Sequence, residues 1–250
     1  DDSIKKLSPL QNKKISLIQA QRNGGYGAGN NYGIRYAVNQ LGYRYVLISN
    51  PDVNFEDNVL KDMLSTFQQD EKCAIVAPVQ LNRDGKVITD YAWQVPSIFQ
   101  YILTSGLILG KIFHAHRFPK HYTNENIRLV VDCVQGAFLA LDTSKFDDSY
   151  YDEEFFLYCE ELVIGKQIKS KGYHTILLTG ERYEHLHSVS IDKSISSIRK
   201  QRKLLTRSKL LFMKKYLNAS WVQLRIAHLF FCISDVEACV NEKRKKLIRK

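Results

Sequence analysis

The sequence predicts an α/β fold, a mostly parallel sheet flanked by helices and followed by a helical, basic C-terminal extension. Strand-like and helix-like stretches alternate from Lys14 to Val79 in βαβαβ order, and right-handed crossovers of that kind join parallel strands. Tyr45 to Ile48 is continuously apolar, as in a strand buried on both faces. Residues 193–250 hold 16 Lys/Arg and three acids, Asp235, Glu237 and Glu242, in helix-prone sequence, whereas 1–192 hold 20 basic and 23 acidic residues. The net charge of +10 over 250 residues therefore describes a near-neutral body with a basic end, which suits an anionic neighbour such as a membrane, a nucleic acid or a polyanionic product.

In chain order, Lys14 to Gln19 reads as a strand, and Asn23 to Asn31 as a Gly/Asn-rich loop. Ile34, Ala37, Val38 and Leu41 then recur at helical spacing, with Gly42 as the stop. Tyr43 to Ser49 forms the next strand, and Pro51 ends it because proline lacks an N–H and biases Asn50 away from helix. A helix from near Glu56 carries Val59, Leu60, Met63, Leu64 and Phe67, before the strand Cys73 to Val79. Asp84-Gly85 is a hairpin turn into Lys86 to Trp93, and Ser97 to Phe113 is a helix with a large apolar face. Val130 to Leu141 is strand-like but broken by Gly136, where a bulge or a close ligand approach is expected. Glu160 to Lys171 is a helix stopped by Gly172, and His174 to Leu178 a further strand. The five cysteines form no CxxC pair and read as reduced core residues of a cytosolic protein. No secretory signal or 18-residue uncharged apolar stretch is present.

Asp52 stands on a turn at the carboxyl edge of a strand, where open α/β sheets bind ligands. A carboxylate there suits a hard divalent cation carrying phosphates; the structural alternative is an Asx turn capping the following helix. The Gly/Asn loop invites a dinucleotide-binding reading, but the third glycine of G-x-G-x-x-G falls on Asn30 or Tyr32 in the two registers, so the fingerprint fails.

Five segments in order, NGGYGAGNNYGI, the strand ending in NPD, VQGAFLALD, YDEEFFLYCEE and EHLHSVS, resemble the family 2 glycosyltransferases of the GT-A fold. The closest likeness is to the bacterial rhamnosyltransferase-like branch that builds cell-surface polysaccharides. The resemblance covers about residues 1–215 and implies a catalytic domain there, with a basic amphipathic tail at 216–250. It implies transfer of a sugar from a nucleoside-diphosphate donor to an acceptor hydroxyl of a glycan or lipid-linked saccharide, with inversion and with Mg²⁺ or Mn²⁺ at the diphosphate.

By the same resemblance Asp52 and His185 hold the metal, while Asn23, Gly25, Gly27, Asn30, Asn50, Gly136 and Ser190 serve the donor. Glu160 and Glu161 match the family's Glu-Asp pair, whose second acid is the base, which assigns that role to Glu161. Taken alone, His185 reads as a structural histidine, and the two acids as favourable charges at a helix N-terminus. The family commonly has Asp where this chain has Glu161 and Val163, and Arg where it has Gln167. Asp1-Asp2-Ser3 resembles the end of the family's second strand, so a first strand, helix and strand are expected upstream. Rival readings are a catalytically inactive or regulatory remnant, a nicotinamide-dependent oxidoreductase, and a nucleic-acid-binding protein. The last lacks HTH, RRM and zinc-finger signatures, so nucleic acid is not an expected partner.

Trp221 to Val240 is apolar but interrupted by Arg225, Asp235 and Glu237, which argues against spanning a bilayer. With Lys243-Arg244-Lys245-Lys246 and Arg249-Lys250 it suits a helix lying on an anionic membrane surface, on the cytoplasmic face. The alternative is that it packs on the catalytic domain and the lysines are merely solvated.

Overall fold

The structure, a computed structural model, describes residues 3–88, 90–104, 126–147, 149–186 and 198–248, with the backbone alone at 198 and 241–248. In chain order the helices are α1 (Ser3–Leu7), α2 (Tyr26–Asn39), α3 (Asp57–Gln69), α4 (Ile98–Leu103), α5 (Glu160–Ser170), α6 (Ile198–Tyr216) and α7 (Trp221–Ile248). The strands are β1 (Tyr45–Ser49), β2 (Val53–Phe55), β3 (Cys73–Leu81), β4 (Ala92–Trp93), β5 (Arg128–Val131), β6 (Cys133–Val134), β7 (Phe138–Asp142) and β8 (His174–His185).

A six-stranded mixed sheet runs β1-β7-β3-β8-β2, with β5 also on β8, and β4 pairs β6 separately. Strand β3 is parallel to β8, whereas β7 lies antiparallel between β1 and β3, and β2 and β5 are antiparallel to β8. β1, β3 and β8 therefore share one direction, as βαβ crossovers require. The returning strand β7 separates β1 from β3, so the sheet is mixed where sequence alternation predicts mostly parallel neighbours.

Several local expectations are corrected. Lys14 to Gln19 forms no strand; Asn12 Oδ1 accepts the N–H groups of Lys14 and Ile15, and the local Asx turn leaves only an Asn12–Ile15 bridge. With β1 at the end of the sheet order, only Ile48 of that strand is buried and Leu47 is 37% exposed, so the strand is not buried on both faces. The Gly/Asn stretch is helical from Tyr26: Gly25, at φ +92°, turns the chain so that Tyr26 N–H donates to the Phe156 carbonyl at 3.2 Å. The strand expected over Lys86 to Trp93 shrinks to a Leu81–Val87 bridge and β4, after a turn that closes at Gly85. Val130 to Leu141 breaks into parts of β5, β6 and β7, with Gly136 in the break.

The helix expected from Ser97 begins with a capping box between Ser97 and Gln100, and its expected end lies outside the described residues. Val59, Met63 and Phe67 of α3 cover one face of β3, β7 and β8, and Ile34 of α2 joins the core on the other. A third cluster joins Tyr101 and Ile102 of α4, Leu162 and Val163 of α5, Phe212 and Met213 of α6, and Ala227 and Phe231 of α7. Cys73, Cys133 and Cys159 are buried free thiols, whereas Cys232 is exposed. Among the described residues no helix is long and apolar enough to cross a membrane.

Candidate active site

Asn50 is anchored at the end of β1 by its N–H, which donates to the Ala137 carbonyl at 2.8 Å and ties the Asn-Pro-Asp turn to the segment after Gly136. The chain then reverses into β2, whose register sets Val53 opposite His185 on β8, and Leu186 N–H donates to the Asp52 carbonyl at 3.0 Å. This pairing brings together two side chains 133 positions apart in sequence. Asp52 Oδ1 lies 3.2 Å from His185 Nε2, and both side chains are largely buried. Asn50 Nδ2 lies 3.4 Å from the same nitrogen. On the other side of the ring, Gln80 Nε2 lies 3.4 Å from Nδ1, while Tyr183 Oη donates to Gln80 Oε1 at 2.9 Å.

The second wall is the start of α5. Tyr158 and Cys159 both take left-handed backbone conformations, φ +73° and +72°, and swing the chain so that Glu160 and Glu161 open the helix side by side. Glu160 is 5% exposed, and its Oε1 finds no hydrogen-bond partner among the described residues. Burial, and then the Glu161 charge, push the Glu160 carboxyl up to about 8. Burial also raises Glu161, against the backbone N–H groups of Glu161 and Gly136 that favour its ionised form.

Gly136 lies beneath this carboxylate. A Cβ there would stand 3.0 Å from Glu161 Oε1 and 3.1 Å from Tyr26 Oη. Tyr26 Oη donates to the Gly136 carbonyl at 2.5 Å, and burial with the neighbouring Glu161 charge raises its pKa.

The walls enclose one cleft of about 440 Å³, lined among others by Tyr26, Asn50, Gly136, Glu160, Glu161 and His185; Asp52 is not part of that lining but lies 3.2 Å from His185 Nε2. Trp93, Tyr101 and Leu157 add an apolar side. Of the Gly/Asn segment only Tyr26 lines this cleft. Asn23 Oδ1 accepts Gly25 N–H at 3.1 Å, a Cβ on Gly25 would meet the Phe156 carbonyl, and Gly27 packs on Tyr151, while Asn30 lies against Tyr26. Gly25 and Gly27 therefore fit α2 beneath the segment that carries the Glu pair. Ser190 lies outside the described residues.

Sequence reasoning missed Tyr26, Gln80 and Tyr183. Gln80 carried a signal, as a polar residue near the end of an apolar strand that is 2% exposed in the fold. Asn31 was missed too: fully buried, it receives Tyr151 N–H and donates to the Tyr151 carbonyl and to Glu153.

Asp52 and His185 fit a divalent cation. Adjacent ligands of an octahedral ion, each about 2.1 Å away, stand about 3 Å apart, and the Oδ1–Nε2 separation is 3.2 Å. Among the described residues no cluster of three or more His, Cys, Asp and Glu forms a metal-holding group.

A family model described as Glycosyl transferase family 2 matches residues 1–138. The low-salt glycan biosynthesis hexosyltransferase Agl10 of Haloferax volcanii is 30% identical over 149 residues, which is 59% of this chain and 44% of that protein. The crystal structure of GalNAc-T7 with UDP, GalNAc and Mn²⁺ superposes with a TM-score of 0.53 at 11% identity, over 82% of this chain and 38% of that one. The likeness shows a GT-A fold, and the chain spans less than half the length of either protein.

Proposed function

The chain belongs to glycosyl transferase family 2, and from that premise we propose that it is an inverting, divalent-cation-dependent glycosyltransferase. It would move a sugar from a nucleoside diphosphate to a hydroxyl of a glycan or lipid-linked saccharide in cell-surface polysaccharide assembly. The observation that carries this reading is the single cleft with Asn50 and His185, backed by Asp52, on one wall and Glu160 and Glu161 on the other. The names of the relative, a hexosyltransferase, and of the structural neighbour, bound to UDP, GalNAc and Mn²⁺, support the same chemistry.

Asp52 and His185 would hold Mg²⁺ or Mn²⁺, and Asn50 a donor oxygen beside them. The cation, when bound, neutralises charge on the departing diphosphate. Glu161 takes the proton of the acceptor hydroxyl as that oxygen bonds to the anomeric carbon and the bond to the diphosphate breaks. Its raised pKa suits a base working near neutral pH. Glu160, buried beside it, keeps the pair short of two full charges. The basic run that ends the chain would favour an anionic membrane surface carrying a lipid-linked acceptor.

Release of nucleoside diphosphate from sugar donors, with Mn²⁺ or Mg²⁺ and with or without acceptor glycans, tests the reading. Asp52→Asn is expected to lose on the order of 10²-fold or more in turnover, because it removes the charged ligand, with an unchanged melt. Full activity of Asp52→Asn, or of the wild type in excess chelator, would remove Asp52 from the site. Absence of any calorimetric binding of nucleoside diphosphates with metal would sink the transferase reading itself.

A further inference from the structure

Helix α7 is apolar on two opposite faces, and among the described residues only one of them is packed against other helices. Ala227, Phe231 and Ser234 are buried toward α4 and α6. On the other side Val222, Ile226, Leu229, Ile233, Val236 and Val240 follow at steps of four, three, four, three and four residues, and each is 46 to 64% exposed. Such alternation averages 3.5 residues and keeps the stripe on one line along the helix, the requirement for a seam against another helix. In that frame Ile226, Ile233 and Val240 occupy a positions and Val222, Leu229 and Val236 occupy d.

Charge separates this seam from a bilayer-facing one. Between Trp221 and Val240 the charged residues are Arg225, Asp235 and Glu237, whereas helices that lie on anionic lipid carry Lys/Arg beside their apolar face. Flanking the stripe are Arg225, Cys232 and Cys239 on one side and Gln223, Phe230 and Glu237 on the other. The six residues expose roughly 600 Å² per copy, so their complete burial in two copies would remove about 1,200 Å², and with the flanking residues the seam reaches the lower end of stable specific interfaces.

We propose that this stripe is a self-association seam, occupied by the same stripe of a second copy running antiparallel. The 4-3-4-3-4 spacing reads identically from either end, as an isologous two-fold contact demands. Ile226 then meets Val236 of the second copy, and Leu229 meets its Ile233. The antiparallel order also sets the two Lys243–Lys246 runs at opposite ends, where their repulsion is least.

Sedimentation velocity of the full chain, from low to high micromolar, tests this. The wild type is expected to shift with concentration toward twice 28.9 kDa. Leu229→Glu with Ile233→Glu is expected to stay monomeric, with unchanged circular dichroism and melting. Ile226→Gln with Val236→Gln is a milder pair with the same expectation, for use if the first fails to fold. A wild type that is monomeric throughout, or a dimer that survives both well-folded variants, overturns the proposal. So does a monomeric wild type that sediments with phosphatidylglycerol vesicles through these same residues, which would give the face to the bilayer.

Discussion

Gly136 is the residue at which the α5 wall meets the floor of the cleft, and its missing side chain admits the Glu161 carboxylate. Gly136→Ala would bring a methyl group to 3.0 Å from Glu161 Oε1 and 3.1 Å from Tyr26 Oη, so one of the two must move. Since a shift of about 1 Å at a reacting group costs on the order of 10²-fold, turnover should fall by roughly 10–100-fold while donor affinity holds. Steady-state kinetics beside calorimetry would show the split, and equal loss in both would mean the fold rather than the base has suffered. Within the pair itself, Glu161→Gln should lower turnover by about 10²–10⁴-fold, the usual worth of a general base, with donor binding retained. Should Glu160→Gln show the larger loss, the roles are reversed. Glu160 also carries a stability signature. A carboxyl whose folded pKa, about 8, exceeds its ordinary 4.5 binds its proton more tightly in the folded chain, so stability falls as pH rises between those values. Glu160→Gln should therefore melt like the wild type near pH 4.5 and above it at pH 8 and higher, by roughly 1–3 kcal/mol or a few degrees. A pH-independent difference would contradict that environment.

At the scale of elements, β8 does most to assemble the site, because one strand pairs with β3, β5 and β2 and ends at His185. Tyr183 on β8 and Gln80 on β3 join across that pairing and fix the amide that faces His185 Nδ1. Residues behind a metal-ligating histidine typically matter by about 10–100-fold in metal affinity. Gln80→Leu should accordingly weaken nucleoside-diphosphate binding in the presence of Mn²⁺ and leave metal-free binding unchanged. Titration calorimetry in both conditions checks it, and equal weakening in the two would mean that Gln80 acts only on packing. The Asn-Pro-Asp turn and the Glu pair were legible in sequence because proline and paired acids mark local geometry. The partner of Asp52 was legible only through the family likeness, since the β2–β8 register that joins it to His185 is set by distant strands. The Gly/Asn segment misled for the reverse reason. Its composition reads as loop, but Gly25, Gly27 and Asn31 are small or amide residues chosen for contact with Tyr151 and Phe156, a constraint invisible in local propensity.

For the molecule as a whole, the basic C-terminal stretch is more than a solvated tail, because one face of α7 packs into the body. Its charge pattern was legible in the sequence, but the four-helix contact that buries one face of α7 depends on α4, α5 and α6 arriving from three separate parts of the chain. Phe231 is 1% exposed, its ring centre 6.1 Å from that of Tyr101, and Lys209 Nζ stands 5.0 Å from the Phe231 ring centre. Tyr101 in turn bonds Cys159, the residue immediately before the Glu pair, at 3.3 Å. Loss of α7 would thus uncover Phe212, Met213 and Tyr101 and loosen the support of the start of α5. Phe231→Ala should destabilise the whole chain by about 3–5 kcal/mol, the usual cost of emptying a buried aromatic site, and a chain ending at residue 217 should melt lower still or aggregate. Both follow from thermal melts with activity measured in parallel. If the shortened chain instead melts with the wild type and keeps its turnover, α7 is a detachable appendage and the buried face contributes nothing to the site. The expected coupling makes the last helix part of the body that carries the cleft: packing on one face holds α5 in place, while the opposite apolar face is the one proposed for a second copy.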